Sequence, residues 1–180
     1  MHLWEINKLC ELIDSVSSTE WQNPIIPTKH RYMKIILLDS IRSMQNVWAI
    51  FRNADWSWFE KIILTWFTPT PPRWEINKTS LWAENSVIWE YYENPIEIIN
   101  ELKQDWYKIY SVELTENSVD YRTCFWKQED NICLIMWNEV SGVSQNLLEI
   151  SDKTLMIPMM WKKNSLNVSV AAWIVMYAFV

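Results

Sequence analysis

The sequence predicts an α/β protein with a mostly parallel sheet flanked by helices, and three observations carry that prediction. Compact apolar runs of strand length (33–38, MKIILL; 61–67, KIILTWF; 131–136, NICLIM) alternate with segments whose apolar residues recur at helical spacing. The runs are apolar at successive positions, so both faces of each strand are covered, the habit of parallel strands lying between helices. The length of 180 residues, 49% hydrophobic and 21% charged, fits one folded domain with a core large enough to need no staples.

The elements follow in order. Leu3, Ile6, Leu9, Cys10 and Ile13 share one helical face, so 3–15 reads as a short amphipathic helix. Residues 15–29, with Ser17, Ser18, Thr19, Pro24 and Pro27, read as a linker, which makes 1–30 an extension and 31–180 the main domain. After the strand at 33–38, Met44, Val47, Ile50 and Phe51 set a helix over 43–54, closed by Asp55. The strand at 61–67 runs into TPTPPR (68–73), a rigid loop that neither a helix nor a central strand tolerates. Residues 96–104 (IEIINELKQ) form an amphipathic helix, 107–114 (YKIYSVEL) a strand and 131–136 another buried strand. A helical turn or two at 145–150, a short strand at 154–157 and a final helix at 168–179 complete the chain.

Composition excludes several classes of function. Cys10, Cys124 and Cys133 are odd in number and lack C-x-x-C spacing, which points to free thiols in a reducing, cytoplasmic setting. With only His2 and His30, neither a histidine metal cluster nor a Ser-His pair close in sequence is expected. The first fourteen residues carry Glu5, Lys8, Glu11 and Asp14, unlike a signal peptide. The apolar run 168–180 falls short of the ~18–20 residues of a membrane span and reads as a buried helix. A net charge of −6 argues against broad nucleic-acid binding yet leaves room for a local basic face.

Parallel sheets bind ligands at the loops beyond the carboxyl ends of their strands. Three such loops are polar here: 39–46 leading to Arg52, 137–142, and 157–169. Each polar residue has an ordinary structural reading when taken alone. Asn46 suits a helix cap, Arg52 an ion pair with Asp55, Asn138 and Glu139 a turn after a strand, and Ser165 or Asn167 an N-cap for the last helix.

In order, N-V-x-A-I-F-R-N-A-D (46–55), I-M-x-N-E-x-x-G (135–142) and I-P-M (157–159) followed by S-L-N-V-S-V-A-A (165–172) resemble the three motifs of SpoU-type RNA ribose 2′-O-methyltransferases, of the SPOUT superfamily. The likeness runs from about 33 to 180 and takes in Ile62-Ile63-Leu64-Thr65, Thr68-Pro69-Thr70-Pro71 and Leu81-x-Ala83-Glu84. It implies a C-terminal deep trefoil knot, S-adenosylmethionine as cofactor, tRNA or rRNA as substrate and an active site completed across a homodimer, with no metal and no membrane. Carried over residue by residue, it makes Arg52 the group that holds the substrate phosphate or ribose, with Asn46 positioning its loop. Asn138 and Glu139 then stand beside the methyl-donor pocket, and Ser165 and Asn167 orient the ribose and close the pocket. Backbone at Glu113, Trp137, Ile157 and Leu166 contacts the cofactor. Arg31, Lys34, Arg42 and Arg52 supply RNA contacts, with Lys29, His30, Lys162 and Lys163 nearby in sequence.

The chemistry asked of these residues is positioning more than activation, because methyl transfer to a hydroxyl needs in-line approach. An arginine is normally always protonated, so orienting phosphate and ribose is the first role for Arg52 and proton relay the second. A knotted RNA-binding module without catalysis is the alternative. A nucleotide-binding enzyme of another kind lacks support, since neither G-x-G-x-x-G nor G-K-[ST] occurs.

One compositional pair is anomalous: Trp 14 against Gly 1. Trp48, Trp58, Trp66, Trp82, Trp106, Trp137, Trp161 and Trp173, and with them Trp56, stand where the family pattern has glycine, whereas Trp89 in IWEYY suits its place. Glycine at the first eight of these positions, or at every tryptophan but Trp89, would give totals that bracket its usual share of about 7%. The expectation is a reassigned codon, most simply UGA, read as glycine in the source and written as tryptophan. On that reading Trp48 and Trp173 overpack helix contacts and Trp137 fills the cofactor pocket.

Overall fold

The computed structural model describes residues 33–71, 87–124, 131–160 and 165–180, all within the unit Tyr32–Val180. The predicted helix at 3–15, the linker, Arg31, Lys162, Lys163 and the 81–84 segment lie outside the described residues. The elements run β1 (Lys34–Asp39), α1 (Met44–Ser57), β2 (Lys61–Thr65), β3 (Ile88–Tyr92), α2 (Pro95–Gln104), β4 (Lys108–Val112) and β5 (Val119–Asp120). A 3-10 turn at Tyr121–Thr123 precedes β6 (Ile132–Met136), α3 (Gln145–Ile150), β7 (Lys153–Met156) and α4 (Val168–Tyr177).

The strands form one seven-stranded sheet in the order β3-β2-β1-β6-β4-β7-β5, and every ladder is parallel. The order places β6 between β1 and β4, so the chain returns late to fill the centre of a sheet whose flanks it has already laid down. Parallel pairing puts the loops after β1, β4, β6 and β7 at one carboxyl edge, side by side.

Period-two alternation sorts the strand side chains onto two faces. Ile36, Leu38, Ile62, Leu64, Leu134 and Met136 pack with Val47, Phe51, Ala171 and Val175 of α1 and α4. Ile35, Leu37, Ile63, Ile109, Cys133 and Ile135 pack with Ile98, Ile99, Leu102 and Leu147 of α2 and α3. Both layers of side chains are almost wholly buried, which accounts for the continuous apolar runs in sequence. Local chemistry sets the helix ends. The Ser43 hydroxyl caps α1 by accepting from Asn46 N–H at 3.3 Å, and Asn94 with Pro95 opens α2.

Several boundaries differ from expectation. Strand β2 stops at Thr65 because Trp66 turns into the left-handed region (φ 52°), and Thr68 N–H closes a turn onto Thr65 O at 3.1 Å. Helix α1 runs on to Ser57. β3 and the two-residue β5 were not predicted. β3 is an edge strand with a half-exposed, mixed composition (IWEYY), held by the Lys61–Glu90 pair at 2.7 Å. Trp48 is 1% exposed and stacks on Phe51 with ring centroids 4.8 Å apart, whereas Trp173 is 38% exposed, its ring 4.3 Å from that of Tyr177.

Candidate functional site

The loop after β6 is folded around one side chain. Asn138, buried after β6, accepts at Oδ1 from Val140 N–H (2.9 Å) and Ser141 N–H (3.1 Å), and its carbonyl accepts from Gly142 N–H at 3.0 Å. Its Nδ2 donates to Ser40 O at 2.5 Å, tying this loop to the one after β1. Ser40 itself has φ 53°, a left-handed conformation held by its neighbours. Gly142 (φ 71°) closes the turn. Its backbone angle requires glycine, and a Cβ there would lie 2.5 Å from Glu113 Oε2, which would have to turn aside.

Glu113, just beyond β4, accepts from Val143 N–H at 3.0 Å and from Leu114 N–H at 2.9 Å. Glu139 reaches the opposite way, to the start of α1. Its carboxylate accepts from Arg42 N–H (3.0 Å), Ser43 N–H (3.1 Å) and Asn46 Nδ2 (3.0 Å). A carboxylate at a helix N-terminus answers otherwise unpaired donors and the positive end of the helix dipole. Desolvation works to raise the Glu139 carboxyl, but hydrogen bonds from Arg42, Asn46 and Ser43 outweigh it and hold the group below the ordinary carboxylate range. Beneath this edge, burial pushes the Asp39 carboxyl upward against hydrogen bonds from Thr65 and Ser40.

Asn46 joins the third loop. Its Oδ1 accepts from Asn167 Nδ2 at 3.0 Å, and Asn167 caps α4 by accepting from Ser169 N–H at 2.9 Å. Glu139 and Asn167 from two loops and Asn46 from the first turn of α1, all distant in sequence, therefore form one hydrogen-bonded chain.

Beside it lies a cavity of about 70 Å³ lined by Val112, Glu113, Leu114, Trp137, Leu155, Ile157, Met159, Ser165, Leu166 and Ala171. Of the six residues expected at the cofactor, Glu113, Trp137, Ile157, Ser165 and Leu166 line it and Asn138 does not. Nor does Glu139; it and Asn138 hold the loops that do. Val112, Leu114, Leu155, Met159 and Ala171 were missed, because apolar strand and helix ends carry no sequence signal beyond core.

Arg52 lies elsewhere. It opens onto a separate groove of about 390 Å³ with Ala49, Asn53, Trp56 and Trp173, between α1 and α4. Arg42 is exposed beside Glu139. Lys34 begins β1, at the opposite end of the strands, and its Nζ donates to Phe179 O at 2.5 Å, with burial lowering its ammonium from the usual range. Among the described residues no cluster of three or more His, Cys, Asp or Glu could hold a metal, and no helix is long and apolar enough to cross a membrane.

A parallel α/β sheet with an apolar cavity and a polar network gathered at its carboxyl edge defines a ligand-binding domain whose site is assembled from loops. The chain belongs to the SpoU rRNA Methylase family, whose model matches residues 33–177. It is 29% identical over 144 residues to the tRNA (guanosine(18)-2′-O)-methyltransferase of Aquifex aeolicus, covering 79% of this chain and 66% of that protein. It is 29% identical over 150 residues to the 23S rRNA (guanosine(2553)-2′-O)-methyltransferase of Bacillus subtilis, covering 80% of this chain and 56% of that one. The alignments thus span roughly six-tenths of these relatives' length. Among solved structures, the A. aeolicus TrmH/SpoU tRNA modifying enzyme superposes with a TM-score of 0.75 at 27% identity, covering 84% of this chain and 76% of that one. The AdoMet-bound rRNA methyltransferase from Sinorhizobium meliloti superposes with a TM-score of 0.76 at 25% identity, covering 82% and 55%.

Proposed function

We propose that the chain transfers a methyl group from S-adenosylmethionine to a ribose 2′-hydroxyl of tRNA or rRNA, acting in the cytoplasm. The observation that carries this reading is the convergence of Asn46, Glu139 and Asn167 beside a cavity walled by Glu113, Ile157, Ser165 and Leu166. All but Glu113 fall in the three motifs, and the relatives named above act on tRNA and rRNA. The C-terminal trefoil knot belongs to the same reading.

The cavity suits the cofactor in chemistry and not in size. Its lining is mostly apolar with two polar side chains, as small-molecule sites are, but pockets for such ligands run to about 300–1,000 Å³. With Trp137 in its wall, the chain as written leaves about 70 Å³. The chain's own contribution is placement: Asn46 fixes α1 against the two other loops, and Arg52 presents a fixed cation to phosphate or ribose. Arg52 and the cavity share no lining residue, which favours a homodimer in which Arg52 of one copy serves the cavity of the other. Arg31 and Arg42 would extend the RNA contact, whereas Lys34, at the amino end of β1 and bonded to Phe179 O, is held away from it.

Protein purified from its native cells should bind S-adenosylmethionine in a calorimeter and methylate cellular RNA. Arg52→Ala should abolish transfer and leave cofactor affinity within about twofold. Loss of cofactor binding along with transfer would remove Arg52 from the role of substrate anchor. The narrow cavity favours a second reading, an RNA-binding module without catalysis. Native protein that binds RNA and no cofactor would establish it.

A further inference from the structure

The misfit between cavity and cofactor coincides with a backbone anomaly. Among the described residues, five have positive φ: Ser40, Trp58, Trp66, Trp106 and Gly142. Tryptophan supplies 14 of 180 residues yet three of these five, while glycine, the residue that takes such angles freely, occurs once in the chain. All three tryptophans stand where short-range geometry calls for glycine.

Trp106 (φ 64°) follows α2 in a complete Schellman motif: Tyr107 N–H donates to Leu102 O at 3.0 Å and Trp106 N–H to Lys103 O at 3.1 Å. Trp58 (φ 56°, ψ 40°) ends α1 in the same left-handed way, with Phe59 N–H returning to Ala54 O at 3.0 Å. Trp66 (φ 52°) is the first central residue of the turn from Thr65 to Thr68, the glycine position of a type II′ turn. Trp66 sets its ring edge-on to Phe67 at 6.0 Å, a contact made at the surface. Trp106, Trp58 and Trp66 are 87%, 41% and 52% exposed, so burial does not explain a large ring at a strained angle.

Two more tryptophans misfit for other reasons. Trp48 is buried in the cluster shared by α1 and α4, and its Nε1 donor has no hydrogen-bond partner. Trp137 walls the cavity after β6 while packing against both core layers, so a bulky ring stands at the mouth of a site about 70 Å³ in volume.

We infer that positions 48, 58, 66, 106 and 137 are glycine in the working protein, and that glycine at 137 opens the cavity to its adenosine-bearing cofactor. The residue assignment stands on backbone and packing; the cofactor part rests on the function proposed above. Trp89, in edge strand β3, lies outside the set.

Peptide mass spectrometry on protein from the native cells reads the five positions directly. Glycine at all five is expected, and tryptophan at 58, 66 or 106 overturns the assignment. Two recombinant comparisons test the physics. The triple change Trp58→Gly, Trp66→Gly, Trp106→Gly should raise the melting temperature by roughly 3–8 °C, since it relieves three left-handed residues without opening a cavity. An unchanged or lower melting point counts against it. Trp137→Gly should tighten S-adenosylmethionine binding at least tenfold, and unchanged measurable affinity overturns the pocket claim. If native peptides carry glycine and neither form binds the cofactor, the methyltransferase reading falls and the residue assignment survives.

Discussion

Replacing Gly142 by alanine imposes two separable costs. The first is conformational: φ 71° places an L-residue in the left-handed region, at about 1–2 kcal/mol. The second is contact, because the new Cβ would lie 2.5 Å from Glu113 Oε2. A carboxylate at the end of a flexible side chain can turn away, but Glu113 would then give up its bond to Val143 N–H, worth about 1–2 kcal/mol for a charged acceptor at a half-buried site. Gly142→Ala should therefore cost about 2–4 kcal/mol, a fall in melting temperature of roughly 5–15 °C at this chain length. In a Glu113→Ala background the contact is already gone, and the same substitution should cost about 1–2 kcal/mol less. Urea denaturation of the four proteins measures the difference as a coupling energy. Equal costs in both backgrounds would show that Glu113 does not hold the loop after β6 and that backbone angle alone accounts for Gly142.

The remaining predictions concern the same edge. Glu139→Ala should lower stability by about 1–2 kcal/mol, and a double-mutant cycle with Asn46→Ala should show coupling of at least ~0.5 kcal/mol by urea denaturation, because the carboxylate and the amide share a bond. The depressed Glu139 carboxyl contributes stability that is complete above its unfolded pKa of ~4.3 and is lost as pH falls through its lower folded value; a pH series should show Glu139→Gln flattening that acid limb. Asp39 acts with the opposite sign: its raised carboxyl favours the folded state most when protonated, so stability declines as pH rises from ~3.9 through its folded value. Asp39→Asn should remove that decline and leave melting at neutral pH unchanged or higher.

How much of this was legible in sequence depended on how many neighbours a segment has. β1, β2 and β6 were readable because each is paired on both edges and covered on both faces, so nearly every position is apolar. β3 and β5 were not, since an edge strand meets fewer constraints and its sequence relaxes accordingly. The insertion of β6 between β1 and β4 left no trace in periodicity, which reports faces and not order. At the site, Asn46, Glu139 and Asn167 could be named only through their motifs, since each also has an ordinary capping role. The structure shows that these roles coincide: Asn167 caps α4 and bonds Asn46 with the same amide group, and Glu139 caps α1 while bonding Asn46.

That coincidence has a consequence for where precision resides. Arg52 is exposed on α1, away from the cavity, yet α1 begins at the network. Asn46 lies six residues before Arg52 on one continuous helix, about 9 Å along its axis. A helix of that length transmits the position of its first turn rigidly. The first turn is held on one side by Glu139, 93 residues away in sequence, and on the other by Asn167, 121 residues away. Loops that wall the cavity therefore also set the attitude of the helix that carries the cation. A change that loosens Asn46 would leave Arg52 charged, exposed and wrongly aimed, and positioning errors of that kind penalise turnover more than binding. On the function proposed above, the polar network aligns the cavity with the helix that presents Arg52, two surfaces that share no lining residue within one chain.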